Sequence, residues 1–150
     1  GNLFVAEACE YDRSFLNLTP QVGVITNIEE DHLDYYENIE KIINAFGDFA
    51  SSISKDGLLV VNNHDDNVAV AVQRAYCKVE TYSLDNSSDW YGEVLPVGSG
   101  IKRFRVFKKN KFFDEFMTIE NKERVPIAIQ KAYNSKMIFD LIIFRVHSLC

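Results

Sequence analysis

Short, near-continuous apolar runs separated by one long amphipathic stretch constrain this chain most strongly. Leu3-Phe4-Val5-Ala6, Val22-Gly23-Val24-Ile25 and Leu58-Leu59-Val60-Val61 have almost unbroken apolar character. Strands buried on both faces read this way, whereas half-exposed strands alternate. Between the second and third runs, Ile39, Ile42, Ile43, Phe46, Phe49, Ala50 and Ile53 recur at the spacing of one helix face. Asn38 precedes them as a candidate N-cap. Strand, helix, strand in this order predicts a right-handed crossover and parallel pairing.

The punctuation agrees with that reading. Leu18-Thr19-Pro20 reads as a loop, and Lys55-Asp56-Gly57 breaks the helix. Asp65 is placed to cap a second helix whose apolar face carries Val68, Ala71, Val72 and Ala75, and Val79 to Leu84 forms a further strand. After Ser83 the pattern changes. Asp89 to Val97, Ile101 to Lys108 and Phe112 to Ile119 read as strands separated by the turn-like Gly98-Ser99-Gly100 and Lys109-Asn110-Lys111. The expected fold class is therefore α/β, a largely parallel sheet flanked by helices over residues 1–84. A small antiparallel β extension is expected over residues 85–119, with 120–150 a divergent tail.

Composition removes several function classes. A chain of 150 residues suits one domain, and 47% hydrophobic with 25% charged residues is globular rather than disordered. A formal net charge of -6 disfavours non-specific binding to nucleic acid or to an anionic membrane. Lys102, Arg103, Arg105, Lys108, Lys109 and Lys111, interleaved with Phe104 and Phe107, read as a hairpin with alternating solvated charges rather than a nucleic-acid surface. Met137 to Leu149 is apolar but is interrupted by Asp140, Arg145 and His147, and falls short of the ~20 residues of a membrane span. Cys9, Cys77 and Cys150 form no C-x-x-C pair, so reduced thiols and a cytoplasmic location are expected. The opening at Gly1, directly before a strand-like run, raises the expectation of an excised or incomplete piece.

Candidate chemistry gathers where apolar runs end in polar residues. In an open parallel sheet, ligands bind beyond the carboxyl ends of the strands. Glu7 follows the first run and Thr26-Asn27 the second, while His32, flanked by Asp31 and Asp34, lies five residues beyond Asn27. A carboxylate and an imidazole converging there suit a divalent cation. Magnesium would complete such a sparse site with water and phosphate, but imidazole more often signals zinc or iron, so the residues themselves do not decide the metal. On spacing alone D-H-x-D is more often a solvated loop, and Glu10, Glu29 and Glu30 carry the same default. Asp65-Asp66 reads first as a helix cap.

Three segments in order carry a more specific signal. They are Glu7-Ala8-Cys9-Glu10-Tyr11-Asp12-Arg13-Ser14-Phe15-Leu16, then Thr26-Asn27-Ile28-Glu29-Glu30-Asp31-His32-Leu33-Asp34-Tyr35-Tyr36 with its following helix, then Val60-Val61-Asn62-Asn63-His64-Asp65-Asp66. Together they resemble the central, ATP-binding domain of the Mur ligases, a P-loop NTPase-like domain. Within that family the likeness is to the branch that adds L-alanine to UDP-N-acetylmuramate. It is clear over about residues 3 to 84 and weakens through about 119.

The resemblance implies an ATP-dependent, amide-bond-forming ligase of peptidoglycan precursor synthesis. A substrate carboxylate is phosphorylated and the amine of the incoming amino acid attacks the acyl phosphate. Position by position, Glu7 and His32 match the family's magnesium-associated catalytic Glu and His. Asn27 matches the Asn facing substrate, with Thr26 and Glu10 beside it, and Asp31 and Asp34 would orient His32. Sister ligases that add later residues carry a modified lysine on the following helix. Phe46 stands at that position here, which favours the alanine-adding branch or its murein-tripeptide recycling relative.

The family's phosphate loop ends in Gly-Lys-Ser/Thr, and none of the seven glycines of this chain is followed by that pair. Nor does Glu120-Asn121-Lys122-Glu123-Arg124-Val125-Pro126 match the family's continuation past Ile119. The expectation is a ligase fragment, inactive in isolation, whose complete enzyme uses ATP, magnesium, UDP-N-acetylmuramate and L-alanine. A catalytically silent α/β binding or scaffolding remnant is the alternative. A stand-alone metal-dependent hydrolase using Glu7 and His32 is the weakest reading, because such a site usually needs more ligands.

Overall fold

The computed structural model describes residues 11–30, 33–96 and 101–119. The expected strand Leu3 to Ala6, the turn at Gly98-Ser99-Gly100 and the tail 120–150 lie outside the described residues. Six strands, β1 (Val22–Ile25), β2 (Leu58–Asn62), β3 (Lys78–Ser83), β4 (Trp90–Leu95), β5 (Ile101–Lys108) and β6 (Lys111–Ile119), form one sheet in sequence order. Among the described residues three α-helices, α1 (Leu33–Tyr36), α2 (Ile39–Ser52) and α3 (Asp66–Ala71), interleave with the early strands. Contacts divide the chain into two compact units, with the boundary between Glu80 and Thr81 inside β3.

In the first unit β1 and β2 pair in parallel, Val22 opposite Leu58 through Ile25 opposite Val61. All four residues of β1 and the first four of β2 are buried, which accounts for their unbroken apolar character. The helix between them starts where expected: Asn38 is the N-cap and its side chain accepts a hydrogen bond from the Lys41 N–H at 3.0 Å. Ile42, Ala45, Phe46, Phe49 and Ala50 bury one face of α2 in a core shared with Ile25, Leu59, Val61 and Val68. Two glycines allow close approach. A Cβ on Gly23 would meet the Ile53 Cδ1 at 2.7 Å and the Phe49 ring at 3.1 Å, so β1 lies directly against α2. A Cβ on Gly57 would meet the Gln21 carbonyl at 2.7 Å, where the chain turns tightly into β2.

Two elements were not legible in the hydrophobic pattern. Tyr11–Asn17 is a 3-10 helix whose Phe15 is buried with its ring 5.2 Å from that of Phe46. The single turn of α1 occupies the end of the D-H-x-D run and places buried Tyr36 in the same core. Arg13 sits over the Tyr36 ring at 5.7 Å. Glu37 then takes a left-handed backbone (φ 70°) to turn the chain into α2, and Lys41 pairs with its carboxylate at 2.6 Å.

In the second unit β4, β5 and β6 form the expected antiparallel extension. Its first strand nevertheless pairs with β3 in parallel, through Tyr82 opposite Trp90 and Ser83 opposite Tyr91. Parallel neighbours ordinarily need a crossover of about a dozen residues. The overlap here is only two residue pairs, so a short loop is enough. Thr81 and Asp89 close that loop: the Thr81 N–H donates to Asp89 Oδ2 at 3.1 Å, and the Asp89 N–H donates to Thr81 Oγ1 at 3.0 Å. The β5–β6 turn has two residues, Lys109 and Asn110, both at positive φ (48° and 62°), and Lys111 already pairs with Lys108. A bulge near Val106 and Phe107 shifts the register beside Phe113, whose ring meets Trp90 edge-on at 5.1 Å.

The arginines of the basic hairpin are paired across the strands. Arg105 and Arg103 both reach Glu115, at 2.9 and 3.4 Å. Phe104 is buried and Phe107 stacks on Tyr91, so neither ring is offered beside the arginines.

Candidate functional site

Parallel pairing of β1 with β2 brings two carboxyl ends to one sheet edge. With Ile25 opposite Val61, Thr26-Asn27 lie at the same end as Asn62-Asn63-His64-Asp65. Thr26 and Asn27 are half-buried, and the Thr26 hydroxyl donates to Asn27 Oδ1 at 3.0 Å. That bond takes one of the two lone pairs of the amide oxygen, and the Asn27 NH₂ can only donate. Glu29 and Glu30 are exposed.

Residue 28 is held in place from a distance. The Ile28 N–H donates to Asp65 Oδ2 at 2.9 Å, and the Ile28 carbonyl accepts from Asn67 Nδ2 at 2.8 Å. The other Asp65 oxygen accepts from the Val68 N–H at 3.0 Å, the N-cap bond of α3. Asp65 is therefore the cap the sequence suggested and also a brace for the segment leaving β1. The brace could not be read from the chain, because its partners are 37 and 39 residues apart. His64 is exposed, with its backbone N–H donating to Asn62 Oδ1 at 3.0 Å.

Glu7, Glu10, Asp31 and His32 lie outside the described residues, and Asp34 falls in α1. Among the described residues no group of three or more His, Cys, Asp or Glu comes together to hold a metal. The described part of the edge offers the neutral oxygens of Thr26 and Asn27. Those suit a hard cation held mainly by water and phosphate oxygens, with few protein ligands. No helix among the described residues is long and apolar enough to cross a membrane.

The family model for the Mur ligase middle domain matches residues 2–126, well over half of the sequence. The chain belongs to this family. The UDP-N-acetylmuramate--L-alanine ligase of Clostridium acetobutylicum is 42% identical over 108 residues, which are 72% of this chain and 24% of that protein. The chain thus spans about a quarter of the length of such relatives. Its fold is that of a UDP-N-acetylmuramate:L-alanyl-gamma-D-glutamyl-meso-diaminopimelate ligase from Neisseria meningitides, with a TM-score of 0.66 at 17% identity, over 83% of this chain and 38% of the other. A MurF ligase from Thermotoga maritima in complex with ADP is also similar, with a TM-score of 0.53 at 16% identity, over 67% of this chain and 22% of that one. In this Mur ligase middle domain Phe46 is a core residue, 1% exposed.

Proposed function

We propose that this Mur ligase middle domain contributes the β1 edge of the active site of an ATP-dependent ligase joining L-alanine to UDP-N-acetylmuramate. The observation that carries the reading is the 42% identity over 108 residues to an L-alanine ligase, beside the family match over residues 2–126, which include Thr26-Asn27. That identity favours alanine addition over murein-tripeptide recycling, since the likeness to the recycling-type ligase is one of fold at 17% identity. The ADP complex of the Thermotoga maritima relative supports a nucleotide as the co-substrate.

In this reading Glu7 and His32 hold magnesium, and Asn27 presents its amide to the substrate beside Thr26, with Glu10 near the same edge. Bound magnesium offsets negative charge on the transferring phosphoryl group. Asn27 acts by orientation: with its oxygen engaged by Thr26, it donates from a fixed direction and needs no reorganisation when substrate arrives. The chain contains no Gly-Lys-Ser/Thr to cradle ATP phosphates, so the 150 residues alone form the acyl phosphate at no measurable rate.

Titration with magnesium, followed by calorimetry or NMR, tests the edge. The parent chain is expected to bind more tightly than His32→Ala by about tenfold, the loss of one ligand being worth about 1.4 kcal/mol on that scale. Equal binding by both proteins would remove His32 from the site.

A further inference from the structure

We propose that Asp65 and Asn67 are positioning residues for the substrate edge: they clamp both peptide groups of Ile28 and so fix the course of the chain directly after Asn27. The inference rests on reading that edge as the ligase's. It concerns residues that lie on a different strand-to-helix connection from the edge itself.

Three anchors meet at one residue. The Ile28 N–H is bound by Asp65 Oδ2 at 2.9 Å, its carbonyl by Asn67 Nδ2 at 2.8 Å, and its side chain, 1% exposed, is buried in the core. Residues leaving a strand toward a loop are ordinarily free to swing, since their peptide groups have left the ladder. Here rotation about Ile28 would break both hydrogen bonds and lift an apolar side chain out of the core. Asn27 directly precedes the clamped residue and is itself oriented by Thr26, while His32 follows four positions later. The clamp therefore fixes the backbone directly after Asn27. A residue that only capped α3 would need one oxygen, the one that meets the Val68 N–H at 3.0 Å. The second oxygen of Asp65 and the amide of Asn67 have no part in that cap.

Two substitutions separate the roles. Asn is a good N-cap, so Asp65→Asn keeps an oxygen for Val68 but turns an NH₂ group toward the Ile28 N–H, donor against donor. Asn67→Ala removes the bond to the Ile28 carbonyl and leaves the cap untouched. Asp66→Asn, a neighbouring exposed carboxylate, controls for the lost charge. The test uses the full ¹⁵N-labelled chain, reading amide exchange at Ile28 and the affinity for manganese, a paramagnetic stand-in for magnesium, by line broadening.

In Asp65→Asn and Asn67→Ala, with melting temperatures within a few degrees of the parent, Ile28 exchange is expected to quicken at least tenfold. Manganese affinity should fall at least threefold, and Asp66→Asn should change neither. Unchanged Ile28 exchange in both folded variants overturns the clamp. Quickened exchange with undiminished manganese affinity, or an equal loss of affinity in Asp66→Asn, overturns its positioning role. If the parent binds no manganese, the metal reading of the edge fails by itself, and a clamp that aims a metal site is overturned with it. The Ile28 exchange data then show whether the brace persists as a structural feature.

Discussion

Phe46 illustrates how burial commits a single position to packing. A lysine at this position would need water or a partner for its charge, but Phe46 is 1% exposed and packs its ring 5.2 Å from Phe15. The site is thus committed to packing, and Phe46→Ala should destabilise the chain by about 3–5 kcal/mol in denaturant unfolding. A loss below about 1 kcal/mol would mean that the ring is not a core element. Cys77 is a second informative residue. Burial pushes its thiol above the ordinary value, partly offset by backbone hydrogen bonds from Cys77 and Leu59. The folded state then holds this proton more tightly than the unfolded state. Any stabilisation from it is fully present below the ordinary thiol pKa and is lost as pH rises through the folded value. Iodoacetamide labelling at pH 8, resolved by peptide mapping, should modify Cys77 more slowly in the folded chain than in the urea-unfolded chain. Equal rates would contradict the burial.

At the scale of elements, what was legible depended on whether the signal was local. Asn38 and Asp65 are caps three residues from the amides they bind, and both could be read from position alone. The buried runs of β1 and β2 and the face of α2 were legible because core burial on both strand faces, or on one helix stripe, leaves a periodic trace. The 3-10 helix at Tyr11–Asn17 left no such trace, since buried Phe15 and half-buried Leu16 are adjacent and too few to set a period. The parallel start of the β4 extension also went unread, because its register rests on Thr81 meeting Asp89 across a loop. The turn at Lys109-Asn110 is a place where local chemistry is suboptimal. Both residues hold positive φ, a conformation that Asn-Gly adopts at less cost than Lys-Asn. Replacing the pair with Asn-Gly should raise stability by about 1 kcal/mol, read as a higher denaturation midpoint at unchanged slope. A lower midpoint would contradict the turn assignment.

For the whole molecule, the functional edge was legible in part. Thr26 and Asn27 could be placed at the end of a strand, and the structure brings them together through a 3.0 Å hydrogen bond. The brace from Asp65 and Asn67 was beyond reach, because tertiary contacts this far apart in sequence leave no periodic mark. Assignment to the Mur ligase middle domain rests on the match over residues 2–126, and the ligase chemistry is the reading it supports. The most direct measurement replaces the matching segment of the Clostridium acetobutylicum ligase with residues 2–126 of this chain. ATP-dependent joining of L-alanine to UDP-N-acetylmuramate is then assayed with and without His32→Ala. An active chimera is expected, its rate falling at least a hundredfold on that substitution. A folded chimera that works equally well with alanine at position 32 would contradict that expectation.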